Sequence, residues 1–291
     1  MQYLVIGGTG TVGSQVVSEL AARKHQVKVL TRSADKAKSL APGASPVAGD
    51  IADPRTLRSV FAGADGVFML NAVSTTETHE GLMALNGAMA AGIKRFVYMS
   101  VHRMDEALHL PHFGSKLPIE TVLKGSGMPF TILRPNNFFQ NDYWYKDAML
   151  QYGVYPQPIG DRGLSRVDVR DIAEAAAIAL TQPGHEGKTM NLVGPKALTG
   201  SATAEIWSRA LGKKIAYGGN DLDAWEQQAL KMMPAWMVFD MKMMYRFFQE
   251  KGLLATDADV AAQTKLLGHG PRGFEAFTNE TAKAWAAGVA V

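Results

Sequence analysis

Cysteine is absent from the 291-residue chain, which removes disulfides, thiolate nucleophiles and Cys-ligated metal centres from the chemistry open to it. Metal-ligand spacing is missing as well. The seven histidines form no HxH or HExxH pattern, so no metal site is expected. No apolar run approaches the ~18 residues needed to cross a bilayer. A strand pattern begins at Gln2 and leaves no room for a cleavable signal. A cytoplasmic protein with no membrane partner is therefore expected. Net charge is only +3, and the basic residues come in scattered pairs (Arg23-Lys24, Lys94-Arg95, Lys213-Lys214). Nucleic-acid binding needs a basic stripe, so no nucleic-acid partner is expected. What remains is enough chain for one large or two modest globular domains.

The first forty residues carry the strongest signal. "QYLVIGGTGTVGSQVVSELAARKHQVKVLTRS" reads as strand, glycine loop, helix and second strand. Val12, Val16, Val17 and Leu20 recur at helical spacing. The glycines fit two registers, Gly7-x-x-Gly10-x-x-Gly13 and Gly8-x-Gly10-x-x-Gly13. In either one they allow a tight turn, close approach of the backbone to a pyrophosphate, and close packing of helix on strand. With Thr9, Thr11 and Val12 they bring the N-terminus of a helix to the phosphates. A glycine loop set between a strand and a helix that leads to a second strand is a specific dinucleotide signature.

The end of the second strand decides which dinucleotide. An NAD enzyme usually has Asp or Glu there for the ribose 2′-hydroxyl. This chain has Thr31-Arg32-Ser33, with Lys36 beyond. A guanidinium suits a 2′-phosphate, which a carboxylate would repel, so NADP(H) is the expected cofactor. A third strand, "SPVAGDI", ends at Asp50-Ile51, within reach of the adenine. Asp53 and Pro54 should open a helix that closes at Gly63. The strand in "DGVFMLNAV" ends at Asn71-Ala72, at the crevice where doubly wound sheets bind ligands. "KRFVYMSV" ends at Ser100, and "PFTILRPNNF" is the sixth strand. Strands alternating with helices in this way give a Rossmann-type doubly wound parallel sheet.

"GGTGTVG", "TRSADKAKSL", "AAGIKRFVYMS", "PHFGSKLPIE", "LRPNNFFQN", "DVRDIAEAAAIAL" and "GHEGKTMNLVGP" together resemble the NmrA-like branch of the atypical short-chain dehydrogenases/reductases. The likeness runs from Met1 to about Gly194. That family holds NADP-binding redox sensors, bacterial quinone oxidoreductases and triphenylmethane dye reductases. "GHEGKTMNLVG" is most similar to the quinone and dye reductases. The resemblance implies an NADP(H)-binding Rossmann domain, residues 1–139 with 165–195, and a smaller, mostly helical substrate domain, residues 140–164 with 196–291.

The resemblance also directs attention to "HFGSK". The wider superfamily places a tyrosine four residues before a lysine; here the pair is His112 and Lys116. The motif implies that Lys116 meets the nicotinamide ribose. A hydride acceptor that becomes an oxyanion needs a proton, which His112 can donate. Pro118 argues for a helix that starts late, with Ser115 as its N-cap and His112 outside it. Ser100 matches the superfamily's catalytic serine loosely, and reads equally as a strand-end hydroxyl. By the same resemblance Pro135, Asn136 and Asn137 flank the nicotinamide. Phe138 and Phe139 either line the substrate side or pack in the core.

The second domain contains the apolar stretch "KMMPAWMVFDMKMMYRFFQEKGLL". Met237, Met241, Met244 and Phe248 form one helical stripe and Trp236, Met243 and Phe247 a second. So wide a face should pack as the core of the small domain, cover the sheet's mouth, contact a second subunit in a homodimer, or combine these. Trp236, Met237 and Met241 become candidate substrate contacts, since methionine adapts to bulky aromatic ligands. Two functions stay open. One is NADP(H)-dependent hydride transfer to a bulky, electron-poor aromatic acceptor such as a quinone. The other is a non-catalytic NADP(H) sensor that regulates a protein partner.

Overall fold

The sheet forms around β1 (Gln2–Ile6), whose Tyr3, Leu4, Val5 and Ile6 are buried. It pairs in parallel with β2 (Gln26–Thr31) on one side and with β4 (Gly66–Met69) on the other. β3 (Ala44–Ala48) extends the first side. β5 (Phe96–Met99), β6 (Phe130–Pro135) and the strand Lys188–Leu192 extend the second. The seven-stranded order is β3-β2-β1-β4-β5-β6 and then Lys188–Leu192. Every pairing is parallel. The order reverses between β1 and β4, and ligands bind beyond the strand ends at such a switch point. This computed structural model describes residues 1–32 and 40–289. Ser33 and Lys36 lie outside the described residues.

Helices cover both faces, as buried parallel strands require. On one face Leu57, Val60 and Phe61 join Ala84, Leu85, Ala88, Ile119 and Leu123 over the side chains of β1, β4 and β5. On the other, the helices Thr11–Ala22 and Val169–Thr181 pack together. Local chemistry sets the ends. Asp53 accepts the Arg55 amide at 3.0 Å and Pro54 opens the helix Pro54–Phe61, as the sequence predicts.

One expectation fails. Ser115 does not cap a helix: with φ −61° and ψ −21° it is helical itself, and its side chain makes no cap hydrogen bond. Pro111–Gly114 is already a helical turn that runs on through Ser115 into Lys116–Gly125. Pro118 has no N–H to return to the Gly114 carbonyl, which explains the break in the helix without ending it.

The chain divides into two compact units: Met1–Pro135, Val169–Leu192 and Lys265–Gly268 in one, Asn136–Asp168, Val193–Thr264 and His269–Val291 in the other. Segments 136–139 and 165–168 thus fall in the second unit. That unit is largely helical and is built on aromatic packing. Trp207 stacks on Trp285 with centroids 5.1 Å apart, and Phe139, Phe274 and Phe277 cluster beside them. At its centre Arg166 and Asp142, both fully buried, form a 2.7 Å ion pair. Asp142 also accepts from Trp207 Nε1 at 2.8 Å and the Tyr155 hydroxyl at 3.1 Å. In the helix Ala235–Lys251 the buried residues are Val238, Asp240, Met244, Tyr245, Phe247 and Phe248. This differs from the two expected stripes because Tyr245 turns inward, where its hydroxyl accepts from the Gln157 amide at 3.3 Å. Among the described residues no helix is long and apolar enough to cross a membrane.

Candidate cofactor site

The glycine loop has the backbone that its sequence requires. Gly7 sits at φ +83°, where a Cβ would meet the Leu70 carbonyl oxygen at 2.5 Å. A Cβ on Gly13 would lie 2.1 Å from the Gly7 oxygen. Gly10 donates to that same oxygen at 3.0 Å and closes the turn. The helix Thr11–Ala22 therefore starts from an extended Gly10 with no side-chain cap and no acidic residue in its first turn. Thr9, Gly10 and Thr11 are exposed, while Gly8, Val12 and Gly13 are buried. Uncapped N–H groups at a helix start, with no carboxylate nearby in sequence, fit a pyrophosphate.

Arg32 follows β2 with its side chain 78% exposed, 3.6 Å from the Asp50 carboxylate, itself 40% exposed. An open pair of that length is weak, so the guanidinium can turn to another anion. Thr31 and Ile51 are buried beside them.

At the end of β4 the structure gives an independent sign of a ligand. Asn71 is 6% exposed, and its Oδ1 is buried with no hydrogen-bond donor among the described residues. Leaving such an acceptor unmet costs about 1–3 kcal/mol. Its neighbour Ala72 is exposed, and Leu70 N donates to Ile6 O at 3.2 Å, tying this strand end to the glycine loop. The glycine cradle, the uncapped helix and the orphaned Asn71 oxygen fit a dinucleotide.

Lys116 is not a solvated lysine. It is buried, and its Nζ pairs with Oε1 of Glu77, which is buried too. Ser115 Oγ donates to Glu77 Oε2 at 3.1 Å, and Thr78 Oγ1 donates to the Ser115 carbonyl at 2.8 Å. His112 lies one helical turn before Lys116, half-buried, with its ring edge-on to Phe113 at 4.7 Å. Tyr98 on β5 is fully buried, and its hydroxyl has no partner among the described residues. Burial, and then the Glu77 and Glu120 carboxylates, push that hydroxyl well above its ordinary range. Ser100 is buried and directed to Glu120 and to Met104 Sδ, 3.9 Å away.

The strand end after β6 divides its residues. Pro135 accepts the His102 amide at 3.0 Å. Asn136 donates to the Leu253 carbonyl at 2.8 Å and accepts from Asn137 N at 2.8 Å. Asn137 Oδ1 accepts from Arg166 Nε at 2.9 Å. Both asparagines thus brace the second unit. Phe138 is half-buried. Phe139 is core, with one edge on a cavity of 230 Å³ that Leu198 and Phe274 also line. Met237 and Met241 are half-buried, and Trp236 is exposed.

Sequence reasoning did not find Glu77 or Tyr98. Glu77 reads as an ordinary first-turn acid of the helix Glu77–Ala90, and Tyr98 as one more apolar strand residue.

Residues 2–278 match the model of the NmrA-like family. The NAD(P)H azoreductase of Xenophilus azovorans is 35% identical over 247 residues, covering 83% of this chain and 85% of that protein. The NADPH-dependent quinone oxidoreductase of Escherichia coli, solved with NADPH, superposes with a TM-score of 0.85 at 24% identity, over 96% of this chain and 99% of that one. The triphenylmethane reductase of Citrobacter sp., solved with NADP(H), gives 0.83 at 24% identity with the same coverage. At such identities the two structures establish the fold alone. The glycine cradle, the parallel sheet and a family match across nearly the whole chain lead to one assignment: this chain belongs to the NmrA-like family.

Proposed function

We propose that the protein is an NADP(H)-dependent oxidoreductase that transfers hydride to a bulky, electron-poor aromatic acceptor such as a quinone. The observation that carries this reading is the donorless Asn71 oxygen at the switch point beside an uncapped glycine loop. The names of the relatives, an azoreductase, a quinone oxidoreductase and a triphenylmethane reductase, support a reductase of conjugated acceptors.

The nicotinamide supplies the hydride when bound. The amides of residues 9–13 hold the pyrophosphate, and Arg32 takes the 2′-phosphate. An ammonium has three donors, so Lys116 satisfies Glu77 with one and keeps others for ribose hydroxyls. With histidine at the tyrosine position, the site lacks a strong phenolic acid. Electron-poor acceptors do not need one, because they take hydride readily and water or His112 can deliver the proton.

The test is NADPH and NADH consumption with a benzoquinone, an azo dye and a simple ketone. Turnover is expected with the first two acceptors and not with the ketone. Lys116→Ala should lower kcat/KM about 10²-fold through lost positioning. Arg32→Ala should raise the NADPH KM about 10-fold or more and leave that of NADH alone. Tight NADP(H) binding with no consumption for any acceptor would refute the enzymatic reading.

A further inference from the structure

The charge of Lys116 is cancelled inside the fold, by a residue the sequence motif does not contain. Glu77 stands in the first turn of the helix Glu77–Ala90, where the helix dipole favours a carboxylate. Three features fix it against Lys116. The ion pair is one. The hydrogen bonds of Ser115 Oγ to Glu77 and of Thr78 Oγ1 to the Ser115 carbonyl are another. The third is Gly81 on the same helix, where a Cβ would lie 2.3 Å from Ile119 Cδ1. A methyl there would force Ile119 to move, so the glycine favours the close approach of the two helices that brings both side chains together away from water.

We propose that Glu77 is a positioning residue that also balances charge: it holds Lys116 at the ribose and cancels the ammonium's field at the nicotinamide, so that the site retains NADP⁺ as well as NADPH. The inference rests on the cofactor reading above. Its physical basis is that the nicotinamide ring is cationic when oxidised and neutral when reduced. An unpaired ammonium nearby would penalise the oxidised form alone, and an unpaired carboxylate would favour it. Inside a protein such charge–charge energies reach kcal/mol over several ångströms. Charged or titratable groups near the pair include His112, one helical turn before Lys116, Tyr98 on β5, which feels the carboxylates of both Glu77 and Glu120, and Glu120 itself on the helix of Lys116. Glu120 is itself matched by Arg134 at 2.7 Å and Lys124 at 2.9 Å. Glu77 is thus the carboxylate available to Lys116.

The test is the ratio of Kd for NADP⁺ to Kd for NADPH, measured by calorimetry at pH 7.5 for wild type, Glu77→Gln, Lys116→Met and the double variant. Glu77→Gln should raise the ratio about tenfold and Lys116→Met should lower it about tenfold. The double variant, which leaves no lone buried charge, should fold and return the ratio to within about twofold of wild type. A merely structural role would move both dissociation constants together in each variant. Single variants that shift the ratio in the same direction, or leave it unchanged while binding persists, would overturn the proposal. So would a double variant that folds and stays far from the wild-type ratio. Failure of the wild type to bind either form would instead remove the cofactor reading, and the inference with it.

Discussion

Glu120 shows how a single buried acid ties this molecule to pH. Burial alone would raise its carboxyl, but hydrogen bonds from Arg134, Ser100 and Lys124 outweigh burial and hold it below its ordinary value of 4.5. A folded value below the unfolded one means that the unfolded chain binds the proton more tightly. The contribution is full above about pH 4.5 and is lost as pH falls through the folded value. Glu120→Gln should therefore be less stable than wild type at pH 7 and lose less on acidification. Urea midpoints of both proteins between pH 3 and 7 would show it; parallel profiles would refute it. At this scale Lys116 was legible because "HFGSK" matches a family motif, and its partner was not. Glu77 is 39 positions away, and no periodicity links two residues that meet only when separate helices pack. Ser100 was legible by position, yet its contacts with Glu120 and Met104 were not.

Elements were more readable than residues, because strands and helices announce themselves locally. The Asp53-Pro54 start and the strand–glycine–helix unit follow from short-range sterics and capping, and both stand in the structure as the sequence predicts. The helix around Lys116 was misjudged for a local reason as well: Pro118 disfavours helix at the residue before it, yet a proline is tolerated in a first turn. The inward face of Ala235–Lys251 depends on Tyr245 finding Gln157, a contact that hydrophobic spacing cannot forecast. The glycine loop gives the sharpest element-level prediction. Gly13→Ala forces a methyl against the Gly7 carbonyl and should cost about 1–3 kcal/mol, with NADP⁺ affinity falling in parallel. Gly125→Ala, at a helix end with open space around it, should be neutral or gain up to about 1 kcal/mol. Urea melts and titration calorimetry on both variants would separate these outcomes.

Taken whole, the protein is a family member whose Rossmann-type sheet could be read strand by strand from its sequence, while the packing of the second unit could not. The buried Arg166–Asp142 pair and the Trp207–Trp285 stack join residues from distant parts of the chain, and nothing local marks them. On the proposed function, ligand and stability are linked. NADP⁺ at 100 times its Kd should stabilise the native state by about 2.7 kcal/mol and raise Tm by about 5 °C or more. NAD⁺ at the same concentration should do much less. Thermal melts with either nucleotide would decide the matter, and equal shifts would count against the 2′-phosphate preference.

The lone oxygen of Asn71 extends this to the living cell. On the proposed function, copies without nucleotide would keep an unsatisfied group inside and open more often, and quality-control proteases would harvest such openings. Abundance of the protein would then follow the supply of its coenzyme with no dedicated regulator: starved cells would clear it, and replete cells would let it accumulate.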